Sequence, residues 1–141
     1  METLENHNKN KDIVDEFLEK LAIAIQDCHD SLLDRFNFIA SQSAASAKFM
    51  YENNTMAGYI PEEGIISALR HGTLAIGQLG LAEALQILVG CNQTTKEGMA
   101  LAKRIESLFK TKASEFKEQY KLNFGVYYTP KIELGVVQVI V

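Results

Sequence analysis

The sequence has no tryptophan, only two prolines and only two cysteines in 141 residues. Cys28 and Cys91 form no Cys-x-x-Cys pair. A disulfide framework and a cysteine metal site are therefore not expected, and a reducing cytoplasm is the expected compartment. Long apolar runs are missing as well. A membrane-crossing helix needs about 18 such residues in a row, and the nearest approach is the terminal "GVVQVIV". The opening "METLENHNKNKDIVDEF" is polar where a secretory signal needs an apolar core, so no export signal is expected. No excess of positive charge exists either. Lys and Arg number 14 against 18 Asp and Glu, a net charge of −4. That excludes a broad nucleic-acid surface, which needs a basic face. The one basic stretch, "LAKRIESLFKTK", is interrupted by Glu106 and reads as a solvated helix face.

What is present suits one globular domain with a core: 47% of residues are hydrophobic and 23% charged. Asp12 can cap a helix whose apolar positions, Ile13, Phe17, Leu21, Ile25, Cys28, Leu32 and Phe36, recur at helical spacing. No Pro or Gly interrupts before Met56, so one long helix is expected, with a break near "SQSAASAK". His29, beside the stripe, reads as a packed or surface imidazole. Cys28 reads as a small buried hydrophobe. Pro61 is expected at the first position of a short helix with Ile65, Ile66 and Leu69 on its apolar face, ended by Gly72. "TLAI" reads as a buried strand. Leu81 to Val89 reads as a helix stopped by Gly90. Thr94 or Thr95 can cap a second long helix reaching about Tyr120, with Cys91 in the preceding loop. "LNFGVYYTP" reads as a strand stopped by Pro130, and "KIELGVVQVIV" also looks strand-like. The expected fold class is α/β, helix-dominated, with two or three short strands. The expected division is a helical segment 1–56, a strand–helix unit 57–130 and a tail 131–141.

The stretch "HGTLAIGQLGLAEALQILVG" holds the main ambiguity. A Walker loop needs a lysine after its second glycine, and none is near. A dinucleotide fingerprint needs three glycines, and "GQLG" supplies two. The residues alone support a sharp strand exit, in which Gly77 permits an unusual backbone angle and Gly80 lets a helix approach the sheet. His71 has no partner carboxylate or serine at a suggestive spacing, and no G-x-S-x-G or H-E-x-x-H occurs.

Taken with its flanks, the stretch resembles the catalytic chain of anaerobic ribonucleoside-triphosphate reductases, the glycyl-radical enzymes. His71, Gly72, Thr73, Leu74, Ile76, Gly77, Gly80, Leu81, Ala82 and Glu83 carry the first part of the likeness. Leu122, Asn123, Phe124, Thr129 and Pro130 carry the second, and the likeness runs to Pro130. The resemblance implies a ten-stranded α/β barrel. It implies a separate activating enzyme, using an iron–sulfur cluster and S-adenosylmethionine, that places a radical on a glycine near the carboxyl end. It also implies a cysteine thiyl that takes a hydrogen from the ribose, and a ribonucleoside triphosphate reduced at its 2′ carbon. The context of Gly135 does not match the radical glycine, and those of Cys28 and Cys91 do not match the thiyl cysteine. No catalytic residue and no metal site is therefore expected within these residues. The amides near Gly77, Gly80 and Thr129 are the expected contacts for substrate phosphates. The departure after "TP" is expected to reflect a change of reading frame or an artificial chain end. The competing expectation is a stand-alone helical module that pairs with itself or a partner, and a weaker third is a nucleotide module built on "IGQLG". A homo-oligomer is expected because part of a barrel leaves apolar surface uncovered.

Overall fold

The computed structural model describes residues 2–53 and 55–128. Helix α1 (Glu2–Ala40) is followed by a 3-10 turn (Ala44–Ala47), α2 (Lys48–Glu52) and α3 (Ile65–Leu69). Strand β1 (Thr73–Gln78), α4 (Leu81–Val89), α5 (Lys96–Tyr120) and β2 (Asn123–Tyr128) complete the order. β1 and β2 pair in parallel, with Thr73 opposite Asn123 and Gln78 opposite Tyr128. The architecture is helix-dominated α/β, as expected.

The long first helix starts at Glu2, so Asp12 lies inside it rather than capping it. Nothing in the preceding residues breaks a helix, and polar residues extend one once it is nucleated. Its end falls where the small polar run predicts. Ser41 Oγ and Gln42 Nε2 donate to the carbonyl of Phe38 at 2.7 and 3.1 Å, covering an acceptor that the terminating helix leaves open. The 3-10 turn and α2 that follow were not foreseen.

Pro61 does not begin a helix. It sits in a turn closed by a bridge between Ile60 and Gly64, and α3 begins at Ile65. Ser67 holds that turn: its hydroxyl accepts from the Ile60 amide at 2.8 Å and donates to the Gly64 carbonyl at 2.6 Å. α3 ends at Leu69, so Gly72 leads into β1 rather than stopping the helix. β1 is not buried throughout: Ile76 is buried, Leu74 is half-buried, and Thr73 and Ala75 are exposed. The alternation means that one face of the strand is covered. α4, Gly90 and α5 fall where the sequence places them. Thr95 is the residue that caps α5, its hydroxyl accepting from the Gly98 amide at 3.1 Å. The strand expected in "KIELGVVQVIV" and the stop at Pro130 lie outside the described residues.

The main core joins Ile25 of α1, Ile76 of β1, Leu85 of α4, and Leu101, Ile105 and Phe109 of α5. A smaller cluster under α3 gathers Tyr51, Ile65 and Ala68. His29 is wholly buried at the α1–α5 seam. Its ring stacks on Phe116 with centroids 3.8 Å apart, and Tyr120 and Phe124 stand 4.9 and 5.2 Å away. Its Nδ1 lies 2.8 Å from Asp30 Oδ1, and an ionised carboxylate only accepts, so Nδ1 carries the hydrogen. Gln26 Nε2 then donates to Asp30 at 2.9 Å. Cys28 packs half-buried against the same core, in line with its reading as a small hydrophobe.

These contacts hold the Asp30 carboxyl below its usual range, first through the hydrogen bond from His29 and then through that from Gln26. The folded-state pKa is thus below the unfolded one. The stabilisation is complete above the ordinary carboxylate range of about pH 4 and is lost as pH falls through the depressed value. Asp30→Asn should therefore flatten part of the acid limb of a urea-midpoint-against-pH curve. Glu16, lowered by Lys20, leaves a residual limb of the same sign. Superimposable acid limbs for the two proteins would show that the pair contributes nothing.

Candidate functional site

In a parallel pair both strands deliver their carboxyl ends to one edge, the edge at which α/β proteins commonly bind ligands. Here that edge carries Gly77 opposite Tyr127 and Gln78 opposite Tyr128. Leu79 and Gly80 follow, and α4 starts at Leu81.

The two glycines exchange the roles the sequence suggests. Gly80, not Gly77, takes the left-handed conformation, with φ +83°, and it turns the chain into α4. Gly77 is needed for close approach. A Cβ there would stand 2.6 Å from Tyr127 Cζ and 2.8 Å from its hydroxyl oxygen, so the tyrosine ring lies across the bare backbone. Spacing within "IGQLG" says that glycine is required twice. It does not reveal a ring arriving from a strand 50 positions further on (Gly77 to Tyr127).

Gln78 was not singled out by sequence reasoning. Its amide nitrogen Nε2 is buried and has no hydrogen-bond partner. Tyr128 carries a phenol pushed above its usual range, first by burial and then by the negative charge of Glu106. Only the 50-residue register identifies Gln78 and Tyr128 as neighbours. His71 packs its ring over Gly58, where a Cβ would collide with it, and it contributes a packing contact in the described structure. Thr129, the third expected phosphate contact, lies outside the described residues.

A cavity of about 150 Å³ opens beside Gly77 and Gly80, between α1, the β1–α4 turn and α5. No acidic or basic side chain lines it. The anion-favouring groups at this edge are thus backbone amides at the start of α4, where Glu83 already occupies the first turn. Among the described residues no group of three His, Cys, Asp or Glu side chains could hold a metal ion. No helix among them is long and apolar enough to cross a membrane.

A family profile described as anaerobic ribonucleoside-triphosphate reductase matches residues 4–135, nearly the whole chain. The chain belongs to the anaerobic ribonucleoside-triphosphate reductase family. No curated protein matches the chain. Membership of this reductase family makes the chain an oxidoreductase by descent.

The contact between Gly77 and Tyr127 is open to a double-mutant cycle. Gly77→Ala should cost about 1–2 kcal/mol of unfolding free energy through overpacking. Most of that cost should vanish in a Tyr127→Ala background. An equal cost in both backgrounds would mean that the ring is not what the glycine accommodates.

Proposed function

We propose that these residues form a wall segment of an anaerobic ribonucleoside-triphosphate reductase, with β1 and β2 as neighbouring staves of its ten-stranded barrel. One observation carries the reading: an in-register parallel pair ends in a glycine corner, inside a family match over residues 4–135. On this reading a ribonucleoside triphosphate is the substrate of the whole enzyme. The amides around Gly77 and Gly80, with Thr129 after β2, contact its phosphates. Because the cavity walls carry no cation, those amides bear the interaction and neutralising side chains come from elsewhere.

The radical steps of the family need a glycyl radical, installed by an iron–sulfur and S-adenosylmethionine activating enzyme, and a cysteine thiyl. By the resemblance, neither cysteine here stands in the sequence context of the thiyl cysteine: Cys28 packs half-buried against the main core, and Cys91 sits in the loop before α5, its sulfur 3.1 Å from the Thr95 hydroxyl that donates to it. This segment therefore shapes and shields, and the chemistry is done by residues outside the 141. A family reductase whose matching segment is replaced by residues 4–135 of this chain should keep turnover. The chain alone, with activating enzyme, S-adenosylmethionine, ribonucleoside triphosphates and formate or a dithiol, should give no deoxyribonucleotide. An inactive but folded chimera, or product from the chain alone, would overturn the reading.

A second reading, association between copies of the chain, is favoured by large side chains left open to water: Ile23 at 63%, Phe38 at 68%, Phe49 at 74% and Ile87 at 83% exposure. Light scattering over a hundredfold concentration range should record a rising mass. A constant monomer mass would exclude it.

A further inference from the structure

We propose that the helix-free side of the β1–β2 pair seats the nucleoside part of a ribonucleoside triphosphate, with the Tyr127 ring stacked on the base. This seat presupposes the reductase reading above and specifies which part of the substrate the segment touches. Successive side chains of a strand point to opposite faces. Ile76, Phe124 and Val126 turn to the helices and pack in the main core. The other side therefore presents Thr73, Ala75 and Gly77 of β1 beside Asn123, Gly125 and Tyr127 of β2. Thr73, Ala75, Asn123 and Tyr127 are all exposed, so no described element covers this side.

Two features of that side suit a flat, uncharged group. The first is bare backbone in mid-strand. A Cβ at Gly125 would meet only the Thr73 methyl, at 3.2 Å, and its register partner is the small Ala75. Glycine weakens a strand interior and often marks close approach of a ligand or of another backbone. At Gly77 the arriving group is the Tyr127 ring; over Gly125 nothing described takes the space. The second feature is Tyr127 itself. The tip of its ring is held against Gly77, yet the residue stays 44% exposed. An aromatic surface with little freedom left to lose thus stands at the strands' carboxyl edge. Every base has a π-face, so stacking there accepts any of them. No side chain on this side is charged, and phosphates gain nothing from it. They project past the carboxyl edge toward the amides near Gly80, while the base lies against Tyr127 over the Ala75–Gly125 rung.

The chain labelled with 3-fluorotyrosine gives one fluorine NMR signal per tyrosine, and Tyr127→Phe assigns the Tyr127 signal by its loss. ATP and adenosine should move that signal saturably, and inorganic tripolyphosphate should not. Tyr127→Ala should weaken ATP binding about five- to tenfold by equilibrium dialysis and leave tripolyphosphate binding unchanged, whereas Tyr127→Trp should keep ATP binding. Ala75→Leu fills the rung from an exposed position and should abolish the adenosine response. Ala75→Val gives the same test if the leucine variant fails to fold by circular dichroism. A Tyr127 signal unmoved by ATP and adenosine would overturn the proposal, and tripolyphosphate binding in that case would leave the phosphate contacts standing alone. A response to adenosine with no binding of tripolyphosphate would uphold the stacking and remove the phosphate contacts. Equal responses to tripolyphosphate and ATP, or a response that survives a folded Ala75 variant, would also overturn the proposal. So would a Tyr127 signal that moves with protein concentration in the absence of nucleotide, which would give this side of the sheet to a second copy of the chain.

Discussion

A parallel pair of strands cannot be closed by a tight turn, and the rest of this structure follows from that constraint. β1 ends at Gln78 and β2 begins at Asn123. The chain between them must travel back the full length of the strand before it can pair in the same direction. It does so through α4 and α5. These helices bring Leu85, Leu101, Ile105 and Phe109 over the strands' covered face, so the crossover that makes the pairing possible also supplies its core. Sealing Ile76 and Leu85 from water is worth about 1.5–3 kcal/mol for each side chain. Neither can be sealed unless the crossover and the strands are both in place.

Lengths then decide what α1 is for. A strand of six residues spans about 20 Å at 3.3 Å per residue, whereas the 25 residues of α5 span about 37 Å at 1.5 Å per residue. α5 therefore overhangs the strands at its first turns, since Phe116 near its other end packs on Phe124 of β2, ring centroids 5.7 Å apart. α1 runs alongside α5, from Asp15 at Arg104 to His29 against Phe116, Tyr120 and Phe124. The salt bridge from Arg104 to Asp15, 2.7 Å long, joins the same two helices at their exposed margin, where a pair contributes about 0–1 kcal/mol. Burial of rings, rather than surface charge, determines how α1 and α5 dock.

Features set by nearby residues were readable in advance. The span Leu81–Val89, its stop at Gly90, the cap at Thr95 and the parallel alternation of strands with helices all rest on local spacing or on a single residue's conformational preference. Features set by partners far along the chain were not. Asp12 has the chemistry of a cap, yet nothing before it ends the helix, so it lies within α1. Pro61 has the right φ for a first helical turn, but Ser67 binds both ends of the preceding loop and delays α3 to Ile65. The glycines of "IGQLG" were correctly placed at a strand exit, while their roles were exchanged because Tyr127 arrives from β2. The likeness of "HGTLAIGQLGLAE" to reductases identified the family where periodicity could reach only a helix-rich α/β class.

Two buried nitrogens lack partners, His29 Nε2 and Gln78 Nε2, and they differ in kind. Asp30 fixes the hydrogen of His29 on Nδ1, so Nε2 is a bare lone pair on a ring packed among Phe116, Tyr120 and Phe124. Gln78 Nε2 is a donor with two hydrogens, closed off from solvent at the end of β1. A buried donor that has lost water without gaining an acceptor is unfavourable. The unmatched group that sits at the strand exit is therefore Gln78, next to the glycine corner, whereas the histidine lies away from it at the α1–α5 seam.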